Sequence, residues 1–116
     1  MILTLVQQRH LEHALRLSEL STCKQQHGAV VAKGKRVLSV GVNRNRNNPC
    51  NVSNPKVNSA LHAERAALKT LEFTDVDFSR VTLYVARSEN RLSRPCELCW
   101  KYIEHLGVGQ VLWTPI

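Results

Sequence analysis

The sequence predicts an α/β domain in which a central mixed sheet carries helices on its faces. Three observations predict it. Helical periodicity alternates with short apolar runs in the order helix, strand, strand, helix, strand, helix, strand. Gly34, between Lys33 and Lys35, joins the first two strands into an antiparallel hairpin, whereas each later strand-helix-strand step implies a right-handed parallel crossover. Finally, 116 residues with 43% hydrophobic content can bury one core but hardly two, so residues 1–116 read as a single domain.

Residues 7–21 read as an amphipathic helix. Leu11, Ala14, Leu15 and Ser18 share a face, while Arg9, Glu12, Arg16 and Glu19 are polar. His10 and His13 lie on this helix and are expected in solvent. Residues 28–33 and 36–42 read as strands. Ala29-Val30-Val31-Ala32 is continuously apolar, the pattern of a strand buried on both faces. Leu38, Val40 and Val42 alternate with Val37, Ser39 and Gly41.

Residues 43–58 hold seven asparagines, two prolines, Arg44, Arg46, Lys56 and Cys50, with almost nothing to bury. A loop this long in a small domain is usually functional or disordered. Because it leads into His62, it is expected to form a rim or lid; a floppy insertion is the competing reading. Residues 59–71 read as a helix with Ser59 as N-cap and Ala63, Ala67, Leu68 and Leu71 on a buried face. Residues 81–86 form the next strand and 87–94 a polar loop. Pro95 suits a helix start, and that helix runs to Leu106 and stops at Gly107. Residues 109–113 form the last strand.

The net charge of +7 suits a phosphorylated or polyanionic partner, or simply a basic surface, since the sixteen Lys and Arg form no dense run. Aromatic content is only 5%. The apolar opening, residues 1–6, is too short for a signal-peptide core, and no later run could span a bilayer. The expectation is a soluble, cytoplasmic protein with no membrane partner. In that compartment the four cysteines are reduced thiols, with Cys23 and Cys50 as spares.

Two short stretches carry the chemistry: His62-Ala63-Glu64 and Pro95-Cys96-Glu97-Leu98-Cys99. Cys96 and Cys99 are three apart at a helix start, so both sulfurs can reach one metal. The helix N-terminus is expected to lower their thiol pKa values. His62 opens a second helix, and the 33 residues between it and Cys96 are enough for a helix, loop and strand to return the chain to the same sheet edge. One imidazole and two thiolates leave a tetrahedral zinc with an open position, as catalytic zinc has and structural zinc lacks. Cys-x-x-Cys alone is shared by redox and structural motifs. A zinc finger lacks its second histidine here, and a redox pair leaves His62 and Glu64 without a role.

His-x-Glu followed by Pro-Cys-x-x-Cys resembles the signature of the zinc-dependent cytidine and deoxycytidylate deaminase superfamily. Gly41-Val42-Asn43, Leu83-Tyr84-Val85 and the stretch from Gly107 to Trp113 also resemble family elements, so the similarity covers residues 28–113. Within the superfamily the pattern looks most like the nucleotide deaminases, including small virus-encoded members. The resemblance implies a three-layer cytidine deaminase-like fold and a Zn2+ cofactor held by His62, Cys96 and Cys99. It makes Glu64 the proton carrier, Asn43 a contact to sugar or base, and the Ala63 backbone N–H a contact to the base carbonyl.

Around these, Arg87, Arg91 and Arg94 border the second motif and either meet a phosphate or remain solvated loop residues. His27 either reaches the site or packs at the surface. Tyr84, Trp100 and Trp113 read as packing rather than stacking residues. Cys50 reads as a plain thiol, with an accessory metal site as the alternative. Fuller family members continue into a further helix and a fifth strand, whereas only Thr114, Pro115 and Ile116 follow Trp113. The resemblance therefore implies a C-terminally shortened fold. It leaves Val111-Leu112-Trp113 as an edge expected to pair in a homo-oligomer.

The function expected is deamination of a cytosine base in a free nucleotide or nucleoside, dCMP-like. One alternative is cytosine or adenine within single-stranded DNA or RNA, which the charge favours. The small aromatic content favours the free nucleotide. A non-catalytic zinc-stabilised binding module is the other alternative, and Glu64, which zinc binding does not need, argues against it.

Overall fold

The computed structural model describes residues 3–45 and 60–115. Its elements are α1 (Leu5–Ser18), β1 (His27–Lys33), β2 (Arg36–Val42), β3 (Arg44–Asn45), β4 (Ala60–Leu61), α2 (Ala63–Lys69), β5 (Thr82–Arg87), α3 (Glu97–Leu106) and β6 (Gln110–Trp113).

β1 is central because its unbroken apolar run can be satisfied only by cover on both faces. Residues 28–32 are all buried. β1 pairs antiparallel with β2 on one side and with β5 on the other, and β6 joins β5 in parallel, giving the order β2-β1-β5-β6. β2 and β5 both oppose β1, so they run parallel to each other across it. The connection through α2 therefore steps over β1, while the connection through α3 links parallel neighbours. β3 and β4 form a separate antiparallel pair, Arg44 opposite Leu61 and Asn45 opposite Ala60.

Side chains alternate across the sheet, and each set has its own helical cover. Val30, Ala32, Tyr84, Ala86 and Leu112 pack beneath Leu11 and Ala14 of α1. Ala29, Val31, Leu83 and Val85 pack beneath Ala63, Ala67 and Leu68 of α2 and Ile103 of α3. This three-layer arrangement is the expected α/β class. Trp100 packs edge-on against Trp113, and Tyr84 is buried, as their apolar settings implied.

Two glycines let the helices approach the sheet. A Cβ on Gly41 would stand 2.6 Å from Ala67 N and 3.1 Å from Ala66 Cβ. A Cβ on Gly28 would stand 2.8 Å from Ser18 N. Real Cβ atoms do not tolerate such contacts, so the first turns of α2 lie directly on β2 only because residue 41 has no side chain.

Several expectations need correction. α1 starts and ends earlier than 7–21, because Thr4 and Gln7 close a capping box: Gln7 N–H donates to Thr4 Oγ1 at 3.1 Å and Thr4 N–H to Gln7 Oε1 at 2.9 Å. His10 is buried rather than solvated; its Nε2 lies 2.9 Å from the Gly34 carbonyl and its ring tilts against Tyr84. α2 begins at Ala63, not at 59, since Ala60 and Leu61 are in β4. Residues 44–45 belong to a strand rather than to the long loop. The remainder of the expected rim or lid, together with Cys50 and Ser59, lies outside the described residues. No helix among the described residues is long and apolar enough to cross a membrane.

Candidate active site

His62 and Cys96 are both N-cap residues, each in an extended conformation and each followed by a helix, α2 and α3 respectively. Their carbonyls accept the first helical hydrogen bonds, from Ala66 N at 3.0 Å and Trp100 N at 2.8 Å. Neither side chain caps its own helix. Each instead points across the gap between the two helix starts. His62 Nδ1 lies 3.6 Å from Cys96 Sγ and 3.1 Å from Cys99 Sγ. All three ligand atoms fall within 4.8 Å of one another. Tetrahedral zinc, with bonds of about 2.1 Å to nitrogen and about 2.3 Å to sulfur, places neighbouring ligand atoms about 3.6 Å apart. The donor set and its spacing therefore fit zinc.

Besides the start of α3, a second influence acts on the Cys99 thiol. Burial pushes it well up, and Glu64 and Cys96 add to the effect. Cys99 is only 1% exposed, and desolvation disfavours its charged form. The thiolate is then a product of metal binding, in which the cation compensates the buried charge.

Glu64, the second residue of α2, is 5% exposed. Burial raises its carboxyl above the usual glutamate range; its own backbone N–H, His62 and a hydrogen bond with Cys99 pull the other way. A buried carboxyl beside a metal cluster, with its protonation pushed toward neutral pH, has the properties required of a general acid and base.

His62, Glu64 and Cys96 face a pocket of about 470 Å³, lined also by Cys23, Lys24, Gln25, His27, Asn43, Ser93 and Arg94. That volume lies within the usual range for small-molecule sites. Asn43 ties the wall together. Its Oδ1 accepts from His27 N at 2.7 Å and its Nδ2 donates to the Gln25 carbonyl at 2.7 Å. Ser21 Oγ in turn donates to the Asn43 carbonyl at 2.8 Å. Burial, with help from Arg87 and His62, holds the His27 imidazole below its ordinary value. Arg94 lies at the rim with its guanidinium carbon 5.7 Å from the Trp100 ring centroid. Arg87, at the end of β5, is outside the pocket lining. No disulfide joins the described cysteines.

The profile of the cytidine and deoxycytidylate deaminase zinc-binding region matches residues 5–114. The chain belongs to that family. It is a hydrolytic deaminase with zinc as its cofactor, and its metal-competent cluster sits where the fold brings the two motifs together. A comparison with curated proteins finds no match to the sequence. The deaminase is similar in structure to dCMP deaminase from cyanophage S-TIM5 in its apo form, at 25% identity and a TM-score of 0.72, over 97% of this chain and 84% of that one. The same cyanophage enzyme in complex with dCMP and dUMP gives 22% identity and a TM-score of 0.71, over 97% and 83%. Cytidine deaminase from Burkholderia pseudomallei shares the fold at 18% identity and a TM-score of 0.66, over 90% and 78%.

The pocket of the deaminase and the loop leading to it also hold residues that motif reading passes over. Lys24, on the pocket wall, lies in a polar run that no spacing marks as special. Ser93 and Thr114 are buried hydroxyls 21 positions apart, and their Oγ atoms meet at 2.8 Å beside the loop that delivers Arg94 and Cys96. Neither position carries a local signal, since their contact exists only once β5 and β6 have paired.

Proposed function

We propose that this deaminase acts on the cytosine of a free mononucleotide, dCMP-like, giving the uracil form and ammonia. The observation that carries the reading is the polarity of the pocket: buried Glu64 and the ligands His62 and Cys96 share it with exposed Lys24 and Arg94, and no Phe, Tyr or Trp stands in the described lining. A base entering beside Glu64 would leave a phosphate within reach of the cations. A single-strand binder would instead offer aromatic platforms for successive bases.

His62, Cys96 and Cys99 would hold the zinc, which when bound supplies a Lewis acid that makes water nucleophilic at neutral pH. Glu64 takes the proton from that water, delivers it to the ring nitrogen beside the amino-bearing carbon, and assists the amine in leaving as ammonia. The N–H of Ala63, in the first turn of α2, is one of the donors a helix start leaves without an intrahelical acceptor, and it serves the base carbonyl. Asn43 commits one Nδ2 hydrogen to Gln25 and offers the other to a sugar hydroxyl. His27, neutral at pH 7, is an uncharged hydrogen-bonding group on the same wall. Arg94, with Lys24, meets the phosphate.

The test compares kcat/KM for dCMP, deoxycytidine and a single-stranded oligonucleotide, using the parent and Arg94→Ala. We expect dCMP to be preferred, and Arg94→Ala to lower kcat/KM for dCMP about 10–100-fold, the equivalent of one charge-assisted contact, while sparing deoxycytidine. Preference for the oligonucleotide, or equal loss on both small substrates, would contradict the reading.

A further inference from the structure

We propose that Ser93 and Thr114 are positioning residues: a buried hydroxyl pair that latches the 88–95 strap, and so sets where Cys96 meets the metal. The strap leaves β5 at Arg87 and reaches Cys96 after eight residues, with no regular element longer than one 3-10 turn. It reverses direction through Glu89 and Asn90, at φ 62° and 55°, a left-handed backbone that asparagine adopts readily and glutamate rarely. A reversal of that kind persists only where its ends are held.

Thr114 holds both ends. Its Oγ1 accepts from Arg87 N at 3.1 Å and donates to the Arg91 carbonyl. Its backbone N–H donates to Ser93 Oγ at 2.9 Å and to the Val85 carbonyl at 3.1 Å, while its carbonyl accepts from Ser93 N at 3.0 Å. Ser93 Oγ lies 2.8 Å from both the Val85 carbonyl and Thr114 Oγ1. With the Thr114 hydroxyl donating to Arg91, that of Ser93 donates to Val85 or to Thr114, and every polar atom of the pair is satisfied. Thr114 is 0% and Ser93 3% exposed, so water cannot replace either hydroxyl. Three residues beyond Ser93, just past the buried Pro95, is Cys96, an exposed ligand at the start of α3.

The inference rests on the metal-site part of the proposed function but not on the substrate, and its readout is metal release, so either can fail alone. Zinc-loaded protein is titrated with a competing chelator at a temperature where circular dichroism shows each variant folded. Thr114→Val should release zinc about tenfold more readily than the parent, within the range seen when groups supporting a ligand are lost. Thr114→Ser, which keeps the hydroxyl, should behave as the parent. Val111→Ala, in β6 just before Thr114 but away from the latch, should lower the melting temperature and leave zinc release unchanged. The thiolate-to-metal absorption of the Co2+ form should shift in Thr114→Val and not in Val111→Ala. Parent-like zinc release and Co2+ absorption in Thr114→Val, or equal loosening in Val111→Ala, would overturn the proposal. If Thr114→Val does not fold, Ser93→Ala carries the same expectation; failure of both to fold would make the pair ordinary core and overturn it as well.

Discussion

His27 is held neutral at pH 7 by burial first, then by Arg87 and His62. Its folded-state pKa is thus below the 6.5 of an unfolded chain, and the folded protein binds that proton less readily. The stability it contributes is fully present above the unfolded value and is lost as the pH falls through the folded one. Melting temperature should therefore decline between about pH 7 and about pH 5, and the decline should be shallower in His27→Gln. Matching profiles for parent and variant would count against this. The grouping of His62, Cys96 and Cys99 was legible in the sequence because metal ligation demands particular side chains at short spacing, and Glu64, two residues from His62, lines the same pocket as His62 and Cys96. Lys24, Ser93 and Thr114 were not, because lysine and hydroxyl residues are common in polar connections and acquire a role only from distant partners. His10 was misread for the same reason: its partner, the Gly34 carbonyl, lies 24 positions away.

At the scale of elements, the hairpin, the three helices and the final strand were readable from periodicity and turn chemistry, with errors at their ends. The start of α2 is the instructive one. Ala60 and Leu61 favour a helix locally, yet pairing with Arg44 and Asn45 draws them into β4 and leaves His62 as the cap. That displacement matters, since a capping histidine has an extended backbone from which its ring reaches the sulfurs. The Thr4–Gln7 capping box was present in the sequence as Thr-x-x-Gln, and Thr4→Ala should cost about 1 kcal/mol in urea unfolding. Leu68, fully buried on the inner face of α2, anchors the helix that carries Glu64 to the sheet. Leu68→Ala should cost about 2–5 kcal/mol by the same measurement. A loss below about 1 kcal/mol would mean that α2 is not anchored through this contact.

For the whole molecule, two cores on opposite faces of one sheet give a rigid layer whose edge receives both helix starts. The mixed character of the sheet was foreseeable from the connections, but the placement of β1 between β2 and β5 was not, because strand order depends on which edges remain open when α2 packs. β6 is one of the two edge strands of the four-stranded sheet among the described residues, with Val111 and Trp113 half-buried. We propose that this edge pairs with a second copy, and light scattering should show a mass that rises with concentration. A concentration-independent monomer would contradict it.

The central claim is that the His62, Cys96 and Cys99 cluster works with Glu64 as one deaminating centre. Its most direct measurement is the mass of dCMP after incubation with zinc-loaded parent and with zinc-loaded Glu64→Gln. The account predicts a gain of about one mass unit with the parent, as amine becomes carbonyl. With the variant, zinc should be retained and the rate lowered about 10²–10⁴-fold. Unchanged dCMP with the parent while another cytosine substrate gains mass would move the substrate and spare the centre. Parent-like turnover by Glu64→Gln would contradict the centre itself.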